Sequence, residues 1–349
     1  MPAEAEGGMR ARRIASTVGM VAASAFVIAP IGAWAAAALW FRLPAPDWAR
    51  APLCGLVVLS ALATTVALFT PARRRAILLF ALAFAGVVLW WSTIRPPAGG
   101  DWAPDVARQT TGRLGGQILT LSDVRDFDWR SDVDFTERWS ERSYDLSKLR
   151  TLDLFLSYWA GPAMAHLIMT FGFDDGQELA WSIEVRREKN GQYSPVADAF
   201  KSHTLVYLAT TERDSVRLRA NVRGEDVRLY RLRVAPEAAR MLLLQYVSEA
   251  NDLARTPAFY NSITTNCTTA VAKLIWAAGG TLPLDWRLIV NGYLPGYLYD
   301  RRAVATTIPL SRLIELARID GLARAADGSP DFSRLIRVGV PSPVRQAAR

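Results

Sequence analysis

Three runs without a charged residue open the chain: Ile14 to Phe41, Ala51 to Ala72 and Ala76 to Ile94. The first is 28 residues long, and about 20 apolar residues suffice to cross a bilayer as a helix. The pattern therefore predicts three transmembrane helices, at 14–41, 51–72 and 76–94. The first run exceeds the apolar region of a secretory signal peptide; cleavage near Ala38, after its Ala-rich end, is the alternative it leaves. Flanking charge sets the orientation. Arg10, Arg12 and Arg13 precede the first run, and Arg73, Arg74 and Arg75 fill the loop between the second and third. The loop between the first and second has only Arg42, Arg50 and Asp47. By the positive-inside rule the leader (1–13) and the Arg73–Arg75 loop are cytoplasmic. An odd number of spans then places everything after Arg95 outside the cytoplasmic (inner) membrane. Trp40, Trp90 and Trp91 lie near span ends, as interfacial aromatics do.

After Arg95-Pro-Pro-Ala-Gly-Gly100, which reads as a linker, the pattern changes period. Residues 95–133 form a linker and lead-in, with Gly115–Leu121 as a short strand. Asp128 to Asp145 alternates acidic, basic and aromatic residues and reads as a solvated surface segment. Leu149 to Trp159 suggests a strand or short helix. The clearest hairpin joins Ala165–Phe173 to Gln177–Arg186 through Asp174-Asp175-Gly176. Leu167, Met169, Phe171 and Phe173 share one face of the first strand; Leu179, Trp181, Ile183 and Val185 share one face of the second. Matching apolar to apolar with a three-residue loop pairs Phe173 with Gln177. That register sets His166 opposite Glu184, with Ser182 diagonal to it, at Cβ separations of about 4.5–5.5 Å for the direct pair.

Strands are expected at Thr204–Ala209, Val216–Val222 and Val227–Val234, and amphipathic helices at Pro236–Leu253 and Pro309–Ala323. The pattern thus describes an extracytoplasmic α+β domain with an antiparallel sheet (134–300), then a C-terminal helix and loose tail (301–349).

Tyr260-Asn-Ser-Ile-Thr-Thr-Asn-Cys267 is polar and then turns helical. Thr264, Thr265 and Asn266 are N-cap residue types, so a helix should start near Cys267 and stop at Gly279-Gly280. A cysteine in the first turn sits at the positive end of the helix dipole, which favours the nucleophilic thiolate. Such a nucleophile needs a base, and the base a third group to orient it. His166 and Glu184 supply both in the derived register, with Ser182 the other candidate orienter. Asn266, Asn261, Tyr260 and the Cys267 N–H are candidate oxyanion donors. Taken singly, each has a bland reading: Cys267 as a small buried apolar residue, His166 as a structural histidine, Glu184 as a surface carboxylate. His203 competes as base, but no carboxylate is placed opposite it. The loop Asn291–Tyr299, with Tyr293, Leu294, Tyr297 and Leu298, would either lie against lipid or pack over its own core.

Composition narrows the chemistry. The net charge of +8 resides mostly in residues 1–100, which hold 9 Arg and 3 acidic residues; the remainder holds 32 Lys+Arg and 30 acidic residues. A nucleic-acid partner loses its main support. Two cysteines, Cys54 and Cys267, and two histidines, His166 and His203, argue against a disulfide framework and a metal site. No cofactor is expected.

Four blocks together resemble a known family: Ala165-His-Leu-Ile-Met-Thr-Phe-Gly-Phe-Asp-Asp-Gly, Trp181-Ser-Ile-Glu-Val-Arg-Arg-Glu, Glu212-Arg-Asp and Tyr260-Asn-Ser-Ile-Thr-Thr-Asn-Cys-Thr-Thr. It is the family of the N-terminal periplasmic domain of the lipoprotein N-acyltransferase Lnb. The resemblance covers roughly Asp134 to Tyr299, leaving the three spans and the short tail outside. It implies a permuted papain-like, NlpC/P60-like cysteine fold with His before Cys, and it carries the cysteine and histidine roles to Cys267 and His166. Glu184 rests on the hairpin argument alone. The expected activity is a membrane-anchored thiol acyltransferase or hydrolase working through a Cys267 acyl-enzyme. Its expected partners are the lipid bilayer and a lipoprotein or phospholipid substrate. A cell-wall peptidase or amidase of the NlpC/P60 type, and a non-catalytic envelope scaffold, are the alternatives.

Overall fold

The computed structural model describes residues 14–191 and 193–343. The basic leader and the last six residues of the expected tail lie outside them. The chain divides into two compact units, one reaching to Pro96 and taking in Phe200–Ser202, the other holding Pro97–Ala199 and the chain from His203 onward.

The first unit contains three long apolar helices: α1 (Ile14–Arg42), α2 (Asp47–Ala67) and α3 (Arg73–Thr93), with mean hydropathies of 2.0, 1.6 and 2.1. Helices α2 and α3 start earlier than the charge-free runs. Asp47 stands in the first turn of α2, where a carboxylate suits the helix dipole, and Arg73 begins α3. Helix α2 ends at Ala67, with Leu68 still in helical geometry, ahead of the Thr70-Pro71 turn. Helix α1 widens to a π turn at Ser24–Ile28. Pro30 follows and cannot donate to the Phe26 carbonyl, so the ladder must slip there. Helices α1 and α2 approach closely: a Cβ on Gly32 would stand 2.8 Å from Cβ of Ala61.

The second unit is a mixed α/β domain around one sheet. Its strands are β1 (Thr111–Gly115), β2 (Ile118–Arg125), β3 (Asp128–Trp129), β4 (Phe135–Thr136), β5 (Trp139–Asp145), β6 (Leu149–Tyr158), β7 (Ala165–Phe173), β8 (Glu178–Arg186), β9 (Thr204–Thr210) and β10 (Asp226–Arg231). The sheet order is β1-β2-β9-β8-β7-β6-β10, with β5 also on β2, while β3 and β4 pair separately. Neighbours run antiparallel except for one parallel bridge, Arg125–Thr210.

The β7–β8 hairpin keeps the register expected from its apolar faces. Ile168 pairs with Ser182 and Gly172 with Glu178, and the Phe173 N–H donates to the Gln177 carbonyl at 3.0 Å. Gly176 closes the turn at φ 86°, a conformation few other residues adopt. Alternate positions then serve opposite faces of the sheet. Leu167, Met169, Phe171, Leu179, Trp181 and Ile183 build the larger core with helices α5 (Pro236–Arg255) and α6 (Cys267–Ala277). Ile168 and Ala180 build the second core with Val216, Ala220, Ile319 and Phe332.

Several elements differ from expectation. Val216–Val222 is not a strand: α4 (Glu212–Arg217) runs into a π turn at Leu218–Val222. The Thr211 hydroxyl caps it at the Asp214 N–H, 3.2 Å away. Asp214, fully buried, takes a bidentate pair from Arg125 at 2.9 Å and further bonds from the Phe127 N–H and the Trp129 ring. This anchored cap overrides the strand propensity of alternating apolar residues. Of Gly115–Leu121, expected as a short strand, Gly115 ends β1, Gly116 (φ 63°) and Gln117 turn the chain, and Ile118–Leu121 open β2, so the supposed lead-in belongs to the main sheet. Asp128–Asp145 is not purely surface: Trp129 is buried among Phe127, Phe135 and Trp139. The expected helix over Pro309–Ala323 breaks into Leu310–Leu316 and Asp320–Ala325. The edge of β10 captures the break, since Leu229 N–H donates to Ala317 O and Ile319 N–H to Val227 O. Of the two readings of Asn291–Tyr299, packing over the core holds for all the named residues but Tyr293, which stays exposed. A 3₁₀ turn at Asn291–Tyr293 leads into α7 (Leu294–Asp300), and Leu294, Tyr297 and Leu298 are buried in the larger core.

Candidate active site

Helix α6 starts where a capping box can form. Asn266 Oδ1 accepts from the Thr268 and Thr269 N–H groups at 2.9 Å each, and Thr269 Oγ1 accepts from Asn266 N–H at 2.9 Å. Cys267 is therefore the first helical residue, at the positive end of the dipole. Its side chain is buried at the sheet end where β7 begins.

His166 is the second residue of β7. The β7–β8 ladder ends at Ile168–Ser182, and past it polar side chains take over from backbone bonds. His166 Nε2 stands 2.7 Å from Ser182 Oγ and 3.1 Å from Glu184 Oε1. Ser182 Oγ in turn donates to the same Glu184 oxygen at 2.7 Å. The His166 ring lies close enough to the Cys267 thiol for each to shift the other's pKa, and both line the same cavity. With Nε2 committed to Ser182 and Glu184, Nδ1 is the nitrogen left for the sulfur. The Leu167 N–H helps to lower the thiol's pKa, and Thr268 Oγ1 lies 4.0 Å from the sulfur.

Charge favours the ionised form of this line. Burial pushes the Cys267 thiol up, but the hydrogen bond and charge of His166 outweigh it and hold the thiol below its ordinary value. Burial and the Arg219 charge oppose protonation of His166, yet Glu184 and Cys267 raise it above its usual value. Burial raises the Glu184 carboxyl, while His166 and Arg219 carry it well below the carboxylate range. Each of the three shifts favours the charged form of its group, thiolate, imidazolium or carboxylate, over the neutral one.

The line opens into a cavity of about 540 Å³. Trp159, Met164, Val185, Tyr193 and Ile289 give it an apolar side; Arg219, Arg223, Glu225 and Asp132 give it a charged one. The other sequence-derived candidates fare differently. Tyr260 lines the cavity, nearly buried, and burial followed by the Cys267 charge raises its phenol, so it stays a donor. Asn266 also lines the cavity, but its amide is spent on the cap and on Ser262 O at 2.8 Å. Asn261 is not brought to the cavity. Its carbonyl accepts from Ile263 and Thr264 N–H, and its amide donates to Ala199 O. Ser182 is buried behind His166 rather than on the substrate side. His203 has a carboxylate of its own, Asp198 Oδ1 at 2.6 Å, and does not line the cavity.

Two residues of the site escaped the sequence reading. Asn291 accepts from Ala165 N–H at 2.8 Å, and donates to Ala165 O at 2.6 Å and Thr268 Oγ1 at 2.8 Å, with the Cys267 sulfur 3.9 Å away. It ties the start of β7 to the start of α6. Its signal was an Asn-Gly pair inside an apolar stretch. The glycine is required: a Cβ on Gly292 would stand 2.1 Å from the Pro162 carbonyl oxygen. Arg219 donates to Glu184 Oε1 at 2.9 Å and was hidden in the stretch read as a strand. Among the described residues no group of three or more His, Cys, Asp or Glu side chains is placed to hold a metal ion.

Three apolar helices ahead of a mixed α/β domain fit a membrane-anchored protein of the cell envelope. Residues 135–292 match the family model of the Lnb N-terminal periplasmic domain, a span that takes in His166, Glu184, Arg219, Cys267 and Asn291. The chain is thus similar to Lnb over that domain. Comparison with curated proteins and with solved structures gives no match.

Proposed function

We propose that the protein is a membrane-anchored thiol acyltransferase or hydrolase with a permuted papain-like site, the domain lying on the outer side of the inner membrane. The observation that carries this reading is the line from Cys267 through His166 to Ser182 and Glu184 at the floor of a cavity. In it the Cys267 thiolate attacks an ester or amide carbonyl. The negative charge moves to the carbonyl oxygen, where the Cys267 N–H and the Tyr260 hydroxyl are the nearby donors. As the C–O or C–N bond breaks, His166 gives its proton to the leaving alcohol or amine, and a thioester remains on Cys267. An incoming amine or water then loses a proton to His166 and displaces the thiolate. Glu184 holds the ring through Nε2 throughout. The apolar side of the cavity suits an acyl chain, and the membrane helices keep the site near a lipid or lipoprotein donor.

Trapping tests the reading. The full chain and its Cys267→Ala variant would be incubated with a fluorescent phospholipid carrying the label on its acyl chain. Label on the wild type only, released by hydroxylamine, is expected. Equal label on Cys267→Ala, or release of peptidoglycan fragments with no acyl transfer, would overturn it.

A further inference from the structure

The thiol–imidazole–carboxylate reading leaves a problem that the second charge layer addresses. A general acid must also let its proton go. Glu184 unopposed, in a buried site, would grip the His166 imidazolium strongly. Arg219 stands on the far side of that carboxylate. It comes from the π turn after α4, and its side chain is only 9% exposed. One guanidinium nitrogen, Nη2, donates to Glu184 Oε1 at 2.9 Å, and the other, Nη1, faces Glu225 Oε2 at 3.6 Å. Glu225 also accepts from Ser157 of β6 and lies 3.9 Å from Arg223, which donates to Asp132 at 2.7 Å. Arg125 of β2, locked on Asp214, adds a more distant positive charge felt by Glu184. From the segment before α6 Tyr260 feels the Glu184 charge, and from α6 Cys267 faces His166.

We infer that Arg219 is a positioning residue of this site: it fixes Glu184 against His166 and offsets part of the carboxylate charge, so that the imidazolium holds its proton yet can release it. The buried Arg125–Asp214 pair serves the same end from a distance. It fixes the start of α4, and the turn that carries Arg219 follows directly. An arginine suits the place because its fork spans two carboxylates, on β8 and just ahead of β10, that a lysine would contact only one at a time.

The test reads the titration of Cys267 without needing the substrate. In a Cys54→Ser background, the rate of iodoacetamide alkylation would be followed across pH for the full chain, Arg219→Met and Arg219→Lys. Removing a positive charge raises the pKa of every neighbouring group. The alkaline limb, set by His166, should therefore move up by about one pH unit in Arg219→Met, and Arg219→Lys should recover most of that shift. A role in folding alone would not move the limb or respond to restored charge. A folded Arg219→Met whose profile overlays the wild type, or shifts downward, overturns the inference. If Arg219→Met does not fold, Glu225→Gln carries the test. It removes a negative charge from Arg219, so the limb should move down, and an unmoved limb counts against the inference. A wild type whose thiol titrates in one step at the ordinary cysteine value would instead refute the thiol–imidazole pair itself, and Arg219's role with it.

Discussion

Asn291→Ala probes the stitch between the two halves of the site. Asn291 is 7% exposed. Its amide group closes three short bonds, two to the Ala165 backbone and one to Thr268 Oγ1. Alanine leaves the Ala165 N–H and C=O without their partner in a buried place. Each such orphan costs about 1–3 kcal/mol. Water from the adjoining cavity can reach part of the gap, so the lower half of the summed range applies, about 2–4 kcal/mol. At about 2–4 °C per kcal/mol for a unit of this size, the melting temperature should fall by about 4–16 °C. Thermal unfolding of the detergent-solubilised chain measures this, and alkylation of Cys267 reports the site alongside. Asn291→Asp separates packing from charge. It keeps the acceptor to Ala165, loses the donor, and places a carboxylate where the sulfur is 3.9 Å from the present amide. It should raise the thiol pKa and slow alkylation at neutral pH. An alanine variant melting within about 1 °C of wild type, with unchanged alkylation, would refute the account of the junction.

Gly292→Ala should displace the Pro162–Ala163 backbone, because the added Cβ has a carbonyl oxygen 2.1 Å away; a lowered melting temperature and slower alkylation would report it, and a neutral result would refute the close approach. Glu184→Gln removes the anion that raises His166, so the alkaline limb of the alkylation profile should fall by about one pH unit or more, and an unmoved limb would refute the pairing. Glu178 offers a stability test away from the site. Burial and the Glu212 charge lift its carboxyl to about 8 from 4.5, although Arg337 stands 3.3 Å away, because Glu212 and Asp153 share that arginine. The folded chain thus binds more protons than the unfolded one between those values, and stability declines as pH rises through that window. Glu178→Gln should flatten the decline in chemical unfolding curves taken from pH 5 to 9, and parallel slopes in both proteins would refute it.

The parts legible in the sequence were those in which a local pattern and its tertiary use agree. The β7–β8 register followed from two apolar faces and a glycine turn, so the His166–Glu184 opposition could be derived without coordinates. The start of α6 followed from Asn266, a cap residue whose side chain does cap. What was hidden depended on partners distant in the chain. Leu218, Ala220 and Val222 alternate like a strand, and only the Arg125–Asp214 anchor, 89 residues apart in sequence, makes the segment helical. Arg219 went unseen with it. Asn291 was read as loop because nothing nearby says that its amide will meet Ala165, 126 residues earlier. The aromatic residues of α7 could serve lipid or core equally in sequence, and the burial of Tyr297 and Leu298 decides it.

The order of the chain gives the site a built-in delay. His166 and Glu184 meet across one hairpin, a contact available as soon as that hairpin closes. Cys267 comes about a hundred residues later and acquires its partner only when α6 docks and Asn291 ties it to β7. Until then the thiol has neither the imidazolium beside it nor a completed helix behind it, and its pKa stays near that of a free cysteine, about 8.5. While the chain folds, most of it is therefore protonated and slow toward oxidants and stray electrophiles. On the proposed reading, reactivity arrives together with the cavity, and the unfinished chain carries a thiol close to an ordinary cysteine.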